Sequence, residues 1–336
     1  MRPITRKTWT IAIVLAAATS LVSAQGAKKT LQLATLAPKS SLWDKELEQM
    51  AIAWQKAGSV TIRIRPGGEL GDESEIAASI RSRRPNPEIA AFTAIGLSVI
   101  DKAFAVFGLP YFFDSYDELF HVLDKMTPVL SQRLDEKGLV LLAWGHVGWA
   151  QVFTTKPIKT LTELKQLRIW TSDEDMIPWY HAHGFKNAAV RSVNEILLGL
   201  NTGAIEALPA SPMILNYSQW YVKAKYMLDL GIAPIIGAVV IAKPVWAAFQ
   251  DADRQVFLAA ARQMESRLKR AIPSQDKTTI TEMVSRGLLT VIKAEGPEWT
   301  VEARALSSSM QSETVPKDIY DLAVKERDAF RQKKRP

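Results

Sequence analysis

Val60-Thr61-Ile62-Arg63-Ile64-Arg65-Pro66-Gly67-Gly68-Glu69-Leu70-Gly71-Asp72-Glu73-Ser74-Glu75 decides the fold, because a strand, a turn and a helix start are legible in it in succession. Val60, Ile62 and Ile64 alternate with Thr61, Arg63 and Arg65, the period of a strand with one buried face. Pro66-Gly67-Gly68 ends that strand, and Gly71-Asp72 opens the next element. Asp72 is placed to cap a helix, with Glu75 three residues on as the returning acid of a capping box. A glycine-rich turn between strand and helix is also the shape of a phosphate loop. This one lacks the lysine of GxxxxGK[ST] and the spacing of GxGxxG, and Glu69, Asp72 and Glu73 would repel a phosphate. The nucleotide reading fails.

On either side of this stretch the chain keeps alternating between strand and helix patterns. Trp43, Leu47, Met50 and Trp54 recur at helical spacing after Ser41, which predicts core packing for Trp43 and Trp54. Leu139 to Trp144 is a nearly continuous apolar run, the pattern of a strand buried on both faces. Thr160 with Glu163 and Ser192 with Glu195 form two more capping boxes, each opening a helix. Ile235 to Lys243 is a further apolar strand stopped by Pro244, followed by helical stretches over Asp251 to Ile272 and Pro316 to Arg331. The pattern predicts an α/β fold with largely parallel sheets. There is no internal repeat and no low-complexity linker, so two lobes joined by several strand crossings fit better than separate beads.

The N-terminus points to export. Arg2, Arg6 and Lys7 form a basic region, Thr10 to Val22 an apolar one, and Val22-Ser23-Ala24 a small-residue cleavage site before Gln25. Residues 1–24 are therefore read as a signal peptide and the mature chain as periplasmic. Without cysteine there is neither a lipidated signal-peptide cysteine nor a disulfide, so stability rests on core burial. Losing Arg2, Arg6 and Lys7 lowers the formal charge from +7 to +4. That mild excess, with no aromatics interleaved among basic runs, gives nucleic-acid binding no support.

The opening stretch closely resembles the "pGGqlGdE" turn after the second strand in the solute-binding proteins of TRAP transporters, the DctP-like family. Leu33-Ala34-Thr35-Leu36-Ala37-Pro38 with Ser41-Leu42-Trp43 resembles the family's first strand and ligand-facing loop. Gly96-Leu97-Ser98, Leu109-Pro110-Tyr111-Phe112-Phe113 with Asp117-Glu118, and Lys156-Pro157-Ile158 with Leu161 to Lys165 match further family stretches in order. The resemblance implies a two-lobed periplasmic-binding-protein fold of Venus-flytrap, type II-like form with long C-terminal helices. It implies lobe I over 25–147, lobe II over 148–234, a return to lobe I over 235–275, and a helical segment over 276–336 packing on lobe II and the hinge. It also implies a receptor, not an enzyme, that closes on a ligand without a cofactor and hands it to a membrane permease, with a periplasmic tetratricopeptide-repeat protein as an accessory in some systems.

Departures from the family pattern direct the ligand reading. The strand after "LkGlK" places a carboxylate-clamping arginine in acid-binding relatives, and here Trp170 holds that position in Leu167-Arg168-Ile169-Trp170-Thr171. Ala150 holds the place of a second family arginine, and Ala210 that of an asparagine. A carboxylate sealed between lobes without a cation carries an uncompensated desolvation cost, which a tryptophan cannot offset. Trp170, Trp149, Trp43, Trp220 and Tyr217, with Ser41, Ala150 and Ala210, are thus read as a cleft for an apolar, aromatic or lipid-like ligand. The alternative is a small organic acid held by Arg168 or another cation, Arg191 or Lys186. Arg168 is favoured among these because it shares a strand face with Trp170.

Catalytic readings find less to stand on. His181 and His183 lie near Asp173, Glu174 and Asp175, but on a helix residues two apart diverge, and no third histidine or cysteine is near in sequence. They read as surface histidines, and the acids as a helix N-terminus. No GxSxG, HExxH or nucleophilic cysteine is present. The basic runs Arg81 to Arg84 and Arg331 to Arg335 read as solvated ends of elements.

Overall fold

The computed structural model describes residues 29–334 except 59, 173, 175 and 176. The signal-peptide reading of 1–24 and the acids Asp173 and Asp175 lie outside the described residues. The strands are β1 Lys29–Thr35, β2 Val60–Arg65, β3 Ile89–Thr93, β4 Leu139–Thr154, β5 Arg168–Thr171, β6 Asn187–Val190, β7 Ala207–Ala210, β8 Tyr226–Ala242 and β9 Thr290–Ile292. The helices are α1 Leu42–Ala57, α2 Glu73–Ile80, α3 Ala94–Ile100, α4 Tyr116–Glu136, α5 Leu161–Leu164, α6 Ile177–Ala182, α7 Ile196–Thr202, α8 Pro212–Tyr217, α9 Lys243–Ala247, α10 Asp251–Ser285, α11 Glu298–Glu313 and α12 Lys317–Lys334.

The strands lie in the order β2-β1-β3-β8-β4-β7-β5-β6, with β9 beside β8. Two long antiparallel strands, β4 and β8, run together from Leu139↔Ala242 to Thr154↔Tyr226 and belong to both lobes. One end of β8 pairs β3 through Gly237 to Ile241, and the far end of β4 pairs β7 through Gln151 to Thr154. The rest of each lobe is parallel: β1 with β2 and β3, and β5 with β6 and β7. Both apolar runs in the sequence are thus the halves of longer strands, extended past the stretch where apolar residues are continuous.

Burial separates the lobes. In the first, Leu31, Leu33, Trp43, Leu47, Met50 and Trp54 pack with Phe257, Met264, Leu268 and Ile272 of α10. Trp54 stacks on Phe257 at 4.1 Å, and its Nε1–H donates to the Phe257 carbonyl at 3.2 Å. The second lobe has a core on each face of its sheet. Phe153, Trp170, Leu208 and Met283 lie on one side, and Val152, Ile169, Leu228 and Trp299 on the other. Neighbours such as Val152 and Phe153 fall on opposite sides because side chains alternate across a strand.

The C-terminal segment is divided between the lobes, with Met283 and Trp299 in the second-lobe cores and α12 elsewhere. Helix α10 does not end at Ile272 but continues through Pro273 to Ser285, carrying Ile280 and Met283 into the second lobe. Helix α12 packs on α4 of the first lobe, with Val315, Ile319 and Ala323 in that lobe's core, not on lobe II. Arg331 is likewise not a solvated end. Its Nε–H donates to the buried Glu118 carboxylate at 2.5 Å, and Asp114 lies 2.8 Å from its Nη2. A buried carboxylate needs a cation, and α12 supplies it.

Candidate functional site

The glycine turn after β2 is folded back against the end of β1. Gly67 N–H donates to the Ala37 carbonyl at 2.9 Å and Gly68 N–H to the Thr35 carbonyl at 3.0 Å. Each motif acid has a separate task. Glu75 accepts from Asp72 N–H at 3.0 Å, the capping box read from the sequence. Glu73 is buried and accepts from Thr93 N–H, Thr93 Oγ1–H and, at 3.0 Å, Gly96 N–H, which ties α2 to the start of α3. Burial raises its pKa against the pull of those donors.

The second lobe meets this turn directly. Asn194 Nδ2–H donates to the Gly68 carbonyl at 3.3 Å, so residues following β6 touch residues following β2. A Cβ at position 68 would stand 2.9 Å from Asn194 Nδ2, and the backbone there has φ +78°. Only glycine accommodates both the turn and the contact. Asp72, beside this contact, is raised by burial, against the pull of the Val193 backbone amide from the opposite lobe. The C-terminal ends of the parallel strands of the two lobes therefore face each other. That is where open α/β sheets hold ligands.

The wall behind them is the β4/β8 crossing. β4 carries irregularities at His146/Gly148 and Ala150/Val152, and Gln151 Oε1 accepts from Leu230 N–H at 3.0 Å and Gly231 N–H at 2.7 Å where β8 bulges. From α10, the buried Asp276 accepts from Trp149 N–H at 2.8 Å and from Tyr116 Oη–H at 2.7 Å. Burial pushes Asp276 up to about 6 despite these donors. His146, packed between Tyr116 and Phe120, is pushed by burial down to about 4, against a smaller pull from the Leu268 backbone.

The residues singled out in the sequence fall into three places. Trp170, Ala210 and Trp220 come together, but as part of the second-lobe core. Trp170 is 9% exposed and Trp220 5%, and the Trp170 indole N–H is spent on the Arg191 carbonyl at 2.9 Å. The tryptophan expected to face the cleft is thus mostly covered, because α7 and α8 close over its side of the sheet. Trp43 is in the first core as expected, 4% exposed, donating to the His146 carbonyl at 2.8 Å. Ser41 caps α1 and accepts from Asp44 N–H. Trp149 and Tyr217 line the lobe junction, Trp149 edge-on to Tyr116 at 5.2 Å, and the buried Ala150 pairs with Ala233.

Arg168 does not reach the cleft. It opens β5, at the opposite end of the parallel strands, where its Nη2 lies 3.3 Å from Glu206 Oε2 and its Nε–H donates to the Gly203 carbonyl. Sharing a face with Trp170 did not put it at the same height. Lys186 precedes β6 at that same far end, its N–H donating to the Lys165 carbonyl at 3.2 Å. In α6 and its following turn, His183 stacks on Trp179 at 4.4 Å and its Nδ1 lies 2.9 Å from the Trp179 carbonyl, while His181 is exposed. Glu73, Asp276, Asn194 and Gln151 were not singled out as site residues. Glu73 had a local signal in the glycine-turn motif and Asn194 in its place inside the Ser192–Glu195 capping box; Asp276 and Gln151 had none.

Two lobes on shared crossing strands, with facing strand ends between them, define a periplasmic-binding-protein fold. The chain belongs to the DctP family of bacterial extracellular solute-binding proteins, family 7, whose model matches residues 33–313. This is a family of solute-binding receptors of TRAP systems, not of enzymes. A solute-binding protein of Chromohalobacter salexigens is 24% identical over 221 residues, 65% of each chain. An uncharacterised Haemophilus influenzae protein is 24% identical over 60% of this chain and 61% of its own length. The chain thus spans about two thirds or less of the length of these relatives. Among solved structures, a Bordetella pertussis extracytoplasmic solute receptor binding pyroglutamic acid has a TM-score of 0.81 at 20% identity, covering 89% of this chain and 99% of that one. A Chromohalobacter salexigens TRAP periplasmic solute-binding protein with bound D-glucuronate has a TM-score of 0.79 at 20% identity, over 89% and 99%. A Haemophilus influenzae TRAP periplasmic solute-binding protein with bound L-gulonate has a TM-score of 0.80 at 18% identity, over 90% and 100%. Among the described residues no helix is long and apolar enough to cross a membrane.

Proposed function

We propose that this chain is the extracytoplasmic receptor of a TRAP-type transporter, taking a small organic acid between its lobes and presenting it in the closed form to a membrane permease. The observation that carries the receptor reading is the Asn194–Gly68 contact between facing strand ends, in a chain matched to the family over most of its length. Closure by hinge bending at β4 and β8 then lets ligand binding select the closed form. For the ligand class, the acid reading gains on the apolar one for two reasons. The similar solved receptors hold pyroglutamic acid, D-glucuronate and L-gulonate. And Trp43, Trp170 and Trp220, three of the five aromatic residues on which an apolar cleft was to rest, are engaged in the lobe cores, while Trp149 and Tyr217 stay at the lobe junction.

Thermal-shift titration of the purified chain tests this, with pyroglutamate, D-glucuronate and L-gulonate set against long-chain alcohols and simple aromatics. At a hundredfold excess over Kd a ligand adds ~2.7 kcal/mol, a shift of several degrees. A saturable shift from an acid is expected. A shift from the apolar compounds alone, or an apolar molecule found by mass spectrometry after gentle purification, would return the apolar reading to first place.

A further inference from the structure

An acid enclosed between the lobes needs a cation at the strand ends that face the gap, since a carboxylate taken out of water without one keeps its desolvation cost. Arg168 and Lys186 stand at the far ends of β5 and β6, and Arg168 already has Glu206 as its partner. Arg191 stands at the near end. It is the first residue after β6, and three residues later Asn194 touches Gly68 of the first lobe.

The backbone of Arg191 is fixed from both sides. Its N–H donates to the Thr171 carbonyl at 3.2 Å, and its carbonyl accepts from Trp170 Nε1–H at 2.9 Å. Its side chain is exposed, and among the described residues Nη1–H donates to the Val190 carbonyl, at 2.7 Å. Among the described residues no carboxylate pairs with this guanidinium, whereas Arg133, Arg168, Arg267 and Arg331 each have one. Among the described residues the nearby acids are engaged elsewhere: Glu195 accepts from Ser192 N–H at 3.1 Å, Asp72 across the gap from the Val193 amide, and Glu75 from Asp72 N–H. An anchored backbone with an uncommitted guanidinium is suited to forked recognition of a carboxylate.

We infer that Arg191 receives the carboxylate of the ligand and that Trp170 is its positioning residue, holding the Arg191 backbone through the indole N–H. This gives Trp170 a role that does not require its ring to touch the ligand. The inference rests on the organic-acid reading above.

The test begins with the same three acids on the wild-type chain and continues by calorimetry on Arg191→Gln, Arg191→Lys, Arg168→Gln, Lys39→Gln and Trp170→Phe. Lys39 serves as a comparison cation on the first-lobe loop after β1. For an acid that binds wild type, Arg191→Gln is expected to weaken binding at least about tenfold, the scale of a charge-assisted pair. Arg191→Lys should restore part of that, while Arg168→Gln and Lys39→Gln stay within about twofold. Trp170→Phe keeps an aromatic ring while removing the N–H along with the pyrrole half of the indole, and its loss of affinity should vanish when Arg191 is already Gln. A purely structural role would instead leave that loss unchanged in the double variant. If Arg191→Gln binds within about threefold of wild type, the assignment is overturned while the acid reading stands. If none of the acids binds wild type, the acid reading fails and the assignment with it.

Discussion

Asp276, about three quarters of the way along α10, accepts a hydrogen bond at 2.8 Å from the backbone N–H of Trp149, in the β4 segment where the chain passes between lobes. One buried carboxylate thus pins the hinge strand to the long helix that also bridges both cores. The neighbouring Gly148 makes room for it, and Tyr116 shares it from α4.

Asp276 and His146 give opposite pH dependences. With Asp276 up at about 6, the folded chain between about pH 4 and 6 holds a proton the unfolded chain has released, so stability falls as pH rises through that window. With His146 down at about 4, the unfolded chain holds the extra proton, and stability rises with pH between about 4 and 6.5. Each is worth about 3 kcal/mol across its window, so the two contributions largely cancel in the wild type. Urea denaturation from pH 4.5 to 6.5 should show Asp276→Asn gaining stability with pH relative to wild type, and His146→Phe losing it. Parallel profiles for all three chains would refute this.

Gly148→Ala should destabilise the chain by about 1–3 kcal/mol, because a Cβ there strains the backbone and meets a carboxylate. The backbone has φ +116°, and the added carbon would stand 2.5 Å from Asp276 Oδ1. A lowered urea midpoint at unchanged slope is the expected reading. A midpoint equal to wild type would mean that the hinge relaxes around the new side chain.

Asn194→Ala removes the hydrogen bond to Gly68 and should shift the ligand-free chain toward open lobes. Small-angle scattering should report a larger radius of gyration, and binding of an acid should weaken about fivefold, the value of one ordinary hydrogen bond. Superposable scattering curves would show that the contact follows closure without favouring it.

Trp170→Ala should cost about 3–5 kcal/mol of folding stability, as expected for emptying a buried aromatic site. Trp170 packs beside Leu200, Leu208 and Trp220, so chemical denaturation, not ligand affinity alone, reads the change. Stability within 1 kcal/mol of wild type would return Trp170 to the cleft wall.

The sequence by itself determined the local features. The strand from Val60, the turn at Gly67-Gly68, the capping boxes at Asp72, Thr160 and Ser192, and the apolar face of α1 all depend on spacing within a few residues. Family wording added the two-lobed plan. Tertiary structure alone decided which partner each end of a feature meets. Arg168 and Trp170 share a strand face, yet Glu206 claims the first and α7 covers the second, because height along a strand and the helix above it are not encoded in alternation. Helix α12 returns to lobe I because Glu118 is buried some two hundred residues before Arg331. Asp276 reads as one more polar position on a long helix until Trp149 and Tyr116, far away in sequence, are folded against it. Contacts of that range form only when the chain closes on itself, so no local pattern announces them.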